Sequence, residues 1–333
     1  MDLPVLLDDI LAAQARIAPF INCSPLLPSA FFSARASVAA SASVASASAD
    51  APSIELLLKA ECMQKTGSFK IRGATNAVRS MIESGEVVAL PDGAGVVTHS
   101  SGNHGQALAA AAAASNVKCV VVVPEGSPAV KANAARDYGA EVVYCAPNLA
   151  SRERVCAQLQ AVTGAVFVPP YNHKLIIAGQ GTLGVDIMQQ ASAVDVIVVP
   201  VSGGGLISGV AIAVKGVAPS TIVVGAEPTG ANDCALSKAS GQLTRLDSTD
   251  TICDGLRSAA GSLFRCAAPR KRSPASHIFC IRCNVVGALC WPVICSLVDA
   301  VAHVPDFCIA ETVAPLLICG SAHTLKLVLH RAG

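Results

Sequence analysis

The sequence predicts an α/β fold: open, mostly parallel sheets flanked by helices and shared between two domains. Three observations predict it. From residue 54 to about 240, short β-branched runs alternate with stretches of helical length. The runs are nearly continuous in apolar residues, as strands covered on both faces are. A length of 333 residues suits two domains rather than one.

The elements follow in order. I-E-L-L-L-K (54–59) reads as a strand followed by a helix near 69–83, and G-V-V-T-H-S (95–100) as a strand before a helix near 104–115. C-V-V-V-V-P (119–124) precedes a helix over 128–138, and E-V-V-Y-C (141–145) precedes one over 150–162. V-F-V-P-P (166–170) is followed by a helix over 178–191, and V-I-V-V-P-V-S (196–202) by one over 206–216. T-I-V-V-G-A-E-P (221–228) leads into a last helix over 231–239. Ahead of these, residues 34–53 form an Ala/Ser tract without an aromatic anchor, which reads as a flexible loop.

Composition narrows the function classes. With 52% hydrophobic and 14% charged residues, the chain can bury a large core. A net charge of +1 without a basic stripe argues against nucleic acid as a partner. The acidic start M-D-L-P-V-L-L-D-D-I has no signal-peptide pattern. The uncharged run 285–298 contains Pro292 and is shorter than the roughly 20 residues a membrane span needs, so it reads as core packing. Fourteen cysteines without a secretory signal read as reduced thiols in a cytoplasmic protein. Cys280 and Cys283 form a C-x-x-C pair, but no second pair completes a zinc site.

Ligands of open α/β sheets bind at the carboxyl ends of strands, and three strand ends here are unusual. V-S-G-G-G-L-I-S-G (201–209) places Ser202, Gly203, Gly204 and Gly205 between a buried strand and a helix. Glycines let backbone N–H groups approach a ligand, and the helix N-terminus adds positive partial charge, so this is either a phosphate cradle or a tight turn. It is neither a G-x-G-x-x-G turn nor a Walker loop, which argues against a nicotinamide dehydrogenase. K-T-G-S-F-K-I-R-G (65–73) sets Lys70 at a helix start. A desolvated lysine there would have a lowered pKa and an amine ready for imine chemistry; the alternative is a surface lysine. H-S-S-G-N-H-G-Q-A (99–107) offers Ser100, Ser101, Asn103 and His104 as donors for a carboxylate or ring oxygen, or simply as helix caps.

Taken together, S-F-K-I-R-G-A, S-S-G-N-H-G-Q-A-L-A and A-G-Q-G-T (178–182) resemble the fold type II pyridoxal-phosphate enzymes. The resemblance is closest to the serine racemase and serine/threonine dehydratase branch. It implies pyridoxal 5'-phosphate on Lys70, which also acts as base on one face of an amino-acid substrate. It implies Phe69 against the ring, Asn103 on the ring's phenolic oxygen, and residues 202–206, ending at Leu206, around the phosphate. Ser202 stands where the family has glycine. Ser100, Ser101, Gly102 and His104 would line the substrate carboxylate, and Ser101 matches the racemases' proton donor on the opposite face. Glu227, Ala231 and Asp233 in A-E-P-T-G-A-N-D-C resemble that branch's site for Mg²⁺ or Ca²⁺, built from two carboxylates and a carbonyl; an acidic helix start is the plainer alternative. The family also implies a large domain of residues 1–92 plus 172–333, a small domain of 93–171, and a homodimer.

The resemblance breaks after C-D-G-L-R (253–257). Residues 262–290 are basic, cysteine-rich and aperiodic, and the match fades again at L-K-L-V-L-H-R-A-G (325–333). The family's residue on the pyridine nitrogen therefore cannot be named. Both departures read as a faulty gene model rather than a natural variant. Serine racemisation and dehydration of serine or threonine share the motifs. A hydroxyaspartate dehydratase and a catalytically dead cofactor-binding product are the alternatives.

Overall fold

The structure is a computed structural model and describes residues 3–43, 53–90, 93–100, 102–256, 285–306 and 325–331. In chain order the elements are α1 (Leu7–Ile17), β1 (Leu26–Pro28), α2 (Ala30–Ser43), β2 (Ile54–Ala60), α3 (Lys70–Glu83), β3 (Val96–Thr98), α4 (Asn103–Ala113), β4 (Cys119–Pro124), α5 (Ala129–Asp137) and β5 (Glu141–Cys145). Then follow α6 (Leu149–Thr163), β6 (Val166–Phe167), α7 (Lys174–Gln190), β7 (Val196–Pro200), α8 (Gly205–Val217), β8 (Ile222–Pro228), α9 (Asp233–Ser240), α10 (Trp291–Leu297), β9 (Ala300–Val304) and β10 (Leu325–Arg331).

Among the described residues, the strands form two sheets. One is parallel throughout, in the order β5-β4-β3-β6. All six residues of its β4 are buried, which is why C-V-V-V-V-P carries no polar alternation. The other runs β1-β2-β10-β7-β8-β9. Its β7, β8 and β9 are parallel, while β1, β2 and β10 join antiparallel. The α/β class expected from the sequence is the one observed. The run at 325–331, where the family resemblance fades, is β10, lying between β2 and β7.

One expectation is corrected. Residues 34–43 of the Ala/Ser tract are helical, not loop; residues 44–52 lie outside the described residues. Alanine is the strongest helix former, and the serines find partners on one side of the helix. Ser33 Oγ donates to Ser29 O (2.7 Å) and accepts from Leu56 N (2.9 Å). Ser37 Oγ donates to Ser33 O (2.9 Å) and accepts from Ile54 N (2.9 Å). The helix thus takes over the β2 edge where β1 ends. The atypical segment 262–290 is described only at its end, and there the core packing expected of the run 285–298 is observed. Its end, residues 285–290, packs in the core, with Val286 and Cys290 buried. Apolar side chains at 286, 290, 293 and 294 fill the space beside α8, which the irregular sequence around them hides. Residues 257–284, with Cys280 and Cys283, lie outside the described residues.

The core is arranged around α7, which packs against α1, α3 and α8. Helix α1 turns Ile10, Ala13 and Ile17 inward, and Asp9 accepts from Leu6 N at 2.8 Å to open its first turn. No helix among the described residues is long and apolar enough to cross a membrane.

Candidate active site

The three strand-end loops meet on one short stretch of backbone, residues 168–171, where the chain leaves β6. Lys70, the first residue of α3, is half-buried, and its Nζ donates to Pro170 O at 2.8 Å. The same Nζ lies 5.2 Å from the centroid of the Phe69 ring. His104, on the first turn of α4, is buried and its Nε2 is 3.0 Å from Val168 O. The carbonyl accepts, so Nε2 carries the proton and Nδ1 is left as an acceptor. Nδ1 is buried with no partner among the described residues. Burial, with the Lys70 cation nearby, pushes His104 down to about 3, so the ring is neutral at ordinary pH. His99 stacks on Phe167 at 5.1 Å and is held at about 4, mainly by burial.

Tyr171 carries the same stretch onto the glycine loop. A Cβ on Gly203 would lie 2.4 Å from the Tyr171 ring, and one on Gly205 would lie 2.9 Å from Tyr171 O. Gly204, the N-cap of α8, has φ 86°, a left-handed backbone that glycine adopts without strain. Gly287 N donates to Gly203 O (3.1 Å), and Ser202 Oγ donates to Leu256 O (3.3 Å). The bond from Ser208 N to Gly204 O (3.0 Å) opens the helical ladder. The N–H groups of Gly205, Leu206 and Ile207 therefore face out of the helix N-terminus, an arrangement suited to a phosphate.

The remaining predicted site residues fall around this centre. Gly102 caps α4 and its N–H donates to Ser100 Oγ (3.3 Å); Asn103 is half-buried at the first position of that helix. Ser101 lies outside the described residues. Glu227, at the end of β8, is buried, and its Oε1 and Oε2 accept from Cys234 N (3.2 Å) and Ala235 N (2.9 Å). Asp233 opens α9, buried, with Oδ2 unpartnered among the described residues; Ala231 is buried in the turn between. Burial, and for Glu227 also Asp233, raises the two carboxylates to about 8 and about 7 respectively. Paired buried carboxylates with a spare oxygen suit a hard divalent cation. Among the described residues no group of three or more His, Cys, Asp or Glu side chains is arranged to hold a metal ion.

Sequence reasoning missed residues 168–171, because they contribute carbonyls and a packing ring rather than reactive side chains. It also passed over Arg72, buried beside Glu61 and Asp186. The sequence carries no clear signal for it, because the Arg72 helix K-I-R-G-A-T-N-A-V-R-S-M-I-E holds several other charged and polar residues.

The chain is 38% identical over 299 residues to a protein named serine racemase from Oryza sativa subsp. indica, covering 90% of this chain and 74% of that protein. It is 42% identical over 251 residues to serine racemase of Arabidopsis thaliana, covering 75% and 69%. The solved structure of maize serine racemase superposes with a TM-score of 0.76 at 37% identity, over 93% of this chain and 80% of that one. The solved threonine deaminase of T.th. gives 0.75 at 34% identity, over 94% and 86%. The pattern of the pyridoxal-phosphate dependent enzymes matches residues 44–270, and the chain belongs to that family.

Proposed function

We propose that this protein is a pyridoxal-phosphate enzyme acting on serine, with threonine as a second substrate, that removes the α-proton. It then either returns a proton on the opposite face or releases the β-hydroxyl as water. The first course racemises the amino acid; the second gives pyruvate or 2-oxobutyrate with ammonia. The observation that carries this reading is the meeting of Lys70, His104 and the glycine loop on residues 168–171. The names of the relatives support it, and they favour serine over hydroxyaspartate.

When bound, the cofactor supplies an electron sink for the carbanion left by the α-proton. The rest falls to the chain. Lys70 holds the cofactor and takes the proton on its own face. Phe69 packs on the ring, and Asn103 donates to its phenolic oxygen. The N–H groups at 203–206, Gly203 to Leu206, hold the phosphate beside Ser202. Ser100, Ser101, Gly102 and neutral His104 bind the substrate carboxylate, and Ser101 delivers the opposite-face proton. Glu227, Asp233 and the Ala231 carbonyl hold Mg²⁺ or Ca²⁺, a role supported by the orphaned Asp233 oxygen. The division into a small domain of residues 93–171 and a large domain of the remainder is supported by the separate sheet formed by β3 to β6. Family resemblance supports a homodimer, and the many free thiols support the cytoplasm.

The test is chemical. Borohydride reduction of the protein loaded with pyridoxal phosphate, followed by peptide mapping, should place the pyridoxyl group on Lys70. Lys70→Ala should lose both the visible absorbance and turnover. A label on another lysine sinks the reading.

A further inference from the structure

Arg72 stands two residues beyond Lys70 on α3, about 200° around the helix, so the two cations leave it on opposite sides. Lys70 faces residues 168–171; Arg72 is fully buried on the far side. Its Nε and Nη2 donate to the two carboxylate oxygens of Glu61 at 2.9 and 2.8 Å. Nη2 also lies 2.7 Å from Asp186 Oδ2, and Nη1 donates to Thr182 Oγ1 at 3.2 Å. Ser24 Oγ donates to Glu61, and the buried Lys59 Nζ donates to Ser24 O (2.6 Å) and Gln190 Oε1 (3.0 Å), 3.9 Å from Asp186. Two cations face two carboxylates; Lys59, Glu61 and Arg72 are fully buried and Asp186 partly so.

Such a cluster is a poor source of net stability, because desolvation offsets the attraction and apolar packing often does as well. What a guanidinium adds is direction, through donors fixed in one plane. The partners come from different parts of the chain. Glu61 lies in the turn after β2, Thr182 and Asp186 on α7, and Ser24 ahead of β1. The first turn of α3 is thus held from several sides, all away from the site. We propose that Arg72 is a positioning residue for Lys70: its grip on Glu61 and Asp186 fixes the height and rotation of α3 so that Nζ is presented at the reacting centre. A misplacement of about 1 Å at a reacting group costs on the order of a hundredfold in rate.

This inference rests on Lys70 being the cofactor lysine, and the experiment separates the two. Wild type, R72K and, as a stability reference, V123A are compared, because Val123 is buried in the other sheet. R72K keeps the charge and loses the two-pronged grip. Borohydride labelling of Lys70 should persist in R72K, with kcat for L-serine elimination at least tenfold lower and KM within threefold. Added pyridoxal phosphate should bond to the cofactor-free R72K chain at least tenfold more slowly, followed by visible absorbance. V123A, at a comparable loss of Tm, should keep both rates. If R72K does not fold, Glu61→Gln, which keeps the shape and removes the ion pair, is read the same way. Rates within twofold of wild type, or equal losses in V123A, overturn the clamp while leaving Lys70 in its role. A wild-type label elsewhere than Lys70 overturns both.

Discussion

A Cβ placed on Gly179 would lie 2.6 Å from the Cα of Gly73, so α7 and α3 cross backbone against backbone. Gly73 sits three residues after Lys70, and the crossing sets how deep the lysine helix lies in the core. The A-G-Q-G-T phrase therefore has a packing role, reinforced by Gln180 Oε1, which accepts from Gly73 N at 3.3 Å.

Gly179→Ala should destabilise the chain by about 1–3 kcal/mol, the usual cost of an extra group in a packed core. The added carbon would also meet Arg72 O at 2.7 Å and Asn76 Cβ at 2.9 Å. Urea unfolding should show a lower midpoint at an unchanged slope; an unshifted midpoint would mean that the helices part without cost.

His104 makes stability depend on pH. Its folded value of about 3 lies below the ordinary 6.5, so between them the unfolded chain binds more protons. Its contribution is complete above about pH 6.5 and is lost as the pH falls toward 3, by up to about 1.4 kcal/mol per pH unit. His99, at about 4, acts in the same direction. Unfolding measured from pH 7 to 4 should show a shallower decline in His104→Asn than in wild type, and identical profiles would contradict the assignment.

Mg²⁺ or Ca²⁺ should raise the melting temperature of wild type. At a hundredfold excess over Kd, one site adds about 2.7 kcal/mol. Asp233→Ala removes one of two buried carboxylates and should abolish the response, as should a chelator. Equal shifts in both proteins would place the cation elsewhere.

Under the proposed function, Ser101 decides between the two reactions. Racemisation needs acid/base groups on both faces of the carbanion, and the proposal gives Lys70 only one of them. Ser101→Ala should greatly reduce conversion of L- to D-serine while leaving part of the pyruvate formation. Equal loss of both activities would assign Ser101 to carboxylate binding; full racemisation would assign the second face to another group.

The strands of the parallel sheet were legible because burial on both faces leaves nothing polar in them, as in Cys119–Pro124. Lys70 and the glycine loop were legible as sequence phrases, and the structure brings them together through Pro170 and Tyr171. Those two residues were not legible as parts of a site, because a carbonyl is present at every position and only the fold decides which one is aimed. Arg72 was hidden for a related reason: its partners Glu61 and Asp186 lie 11 and 114 positions away in sequence. Helix α2 was misread because Ala and Ser look like filler until the strand edge they face is known.

That helix carries a consequence for how the sequence can drift. Its side-chain contacts with β2 come from Ser33 and Ser37, one turn apart, and Ser29, just ahead of the helix, adds a backbone bond. Ser29 reaches Leu56 O through its own N–H, at 3.0 Å, and the other two accept from strand amides. Between them, exchange of alanine for serine leaves those bonds untouched. Within the Ala/Ser tract, Ser37 is therefore the position whose hydroxyl matters, and a stretch that looks like random slippage of two small amino acids still holds one fixed bond to a strand edge.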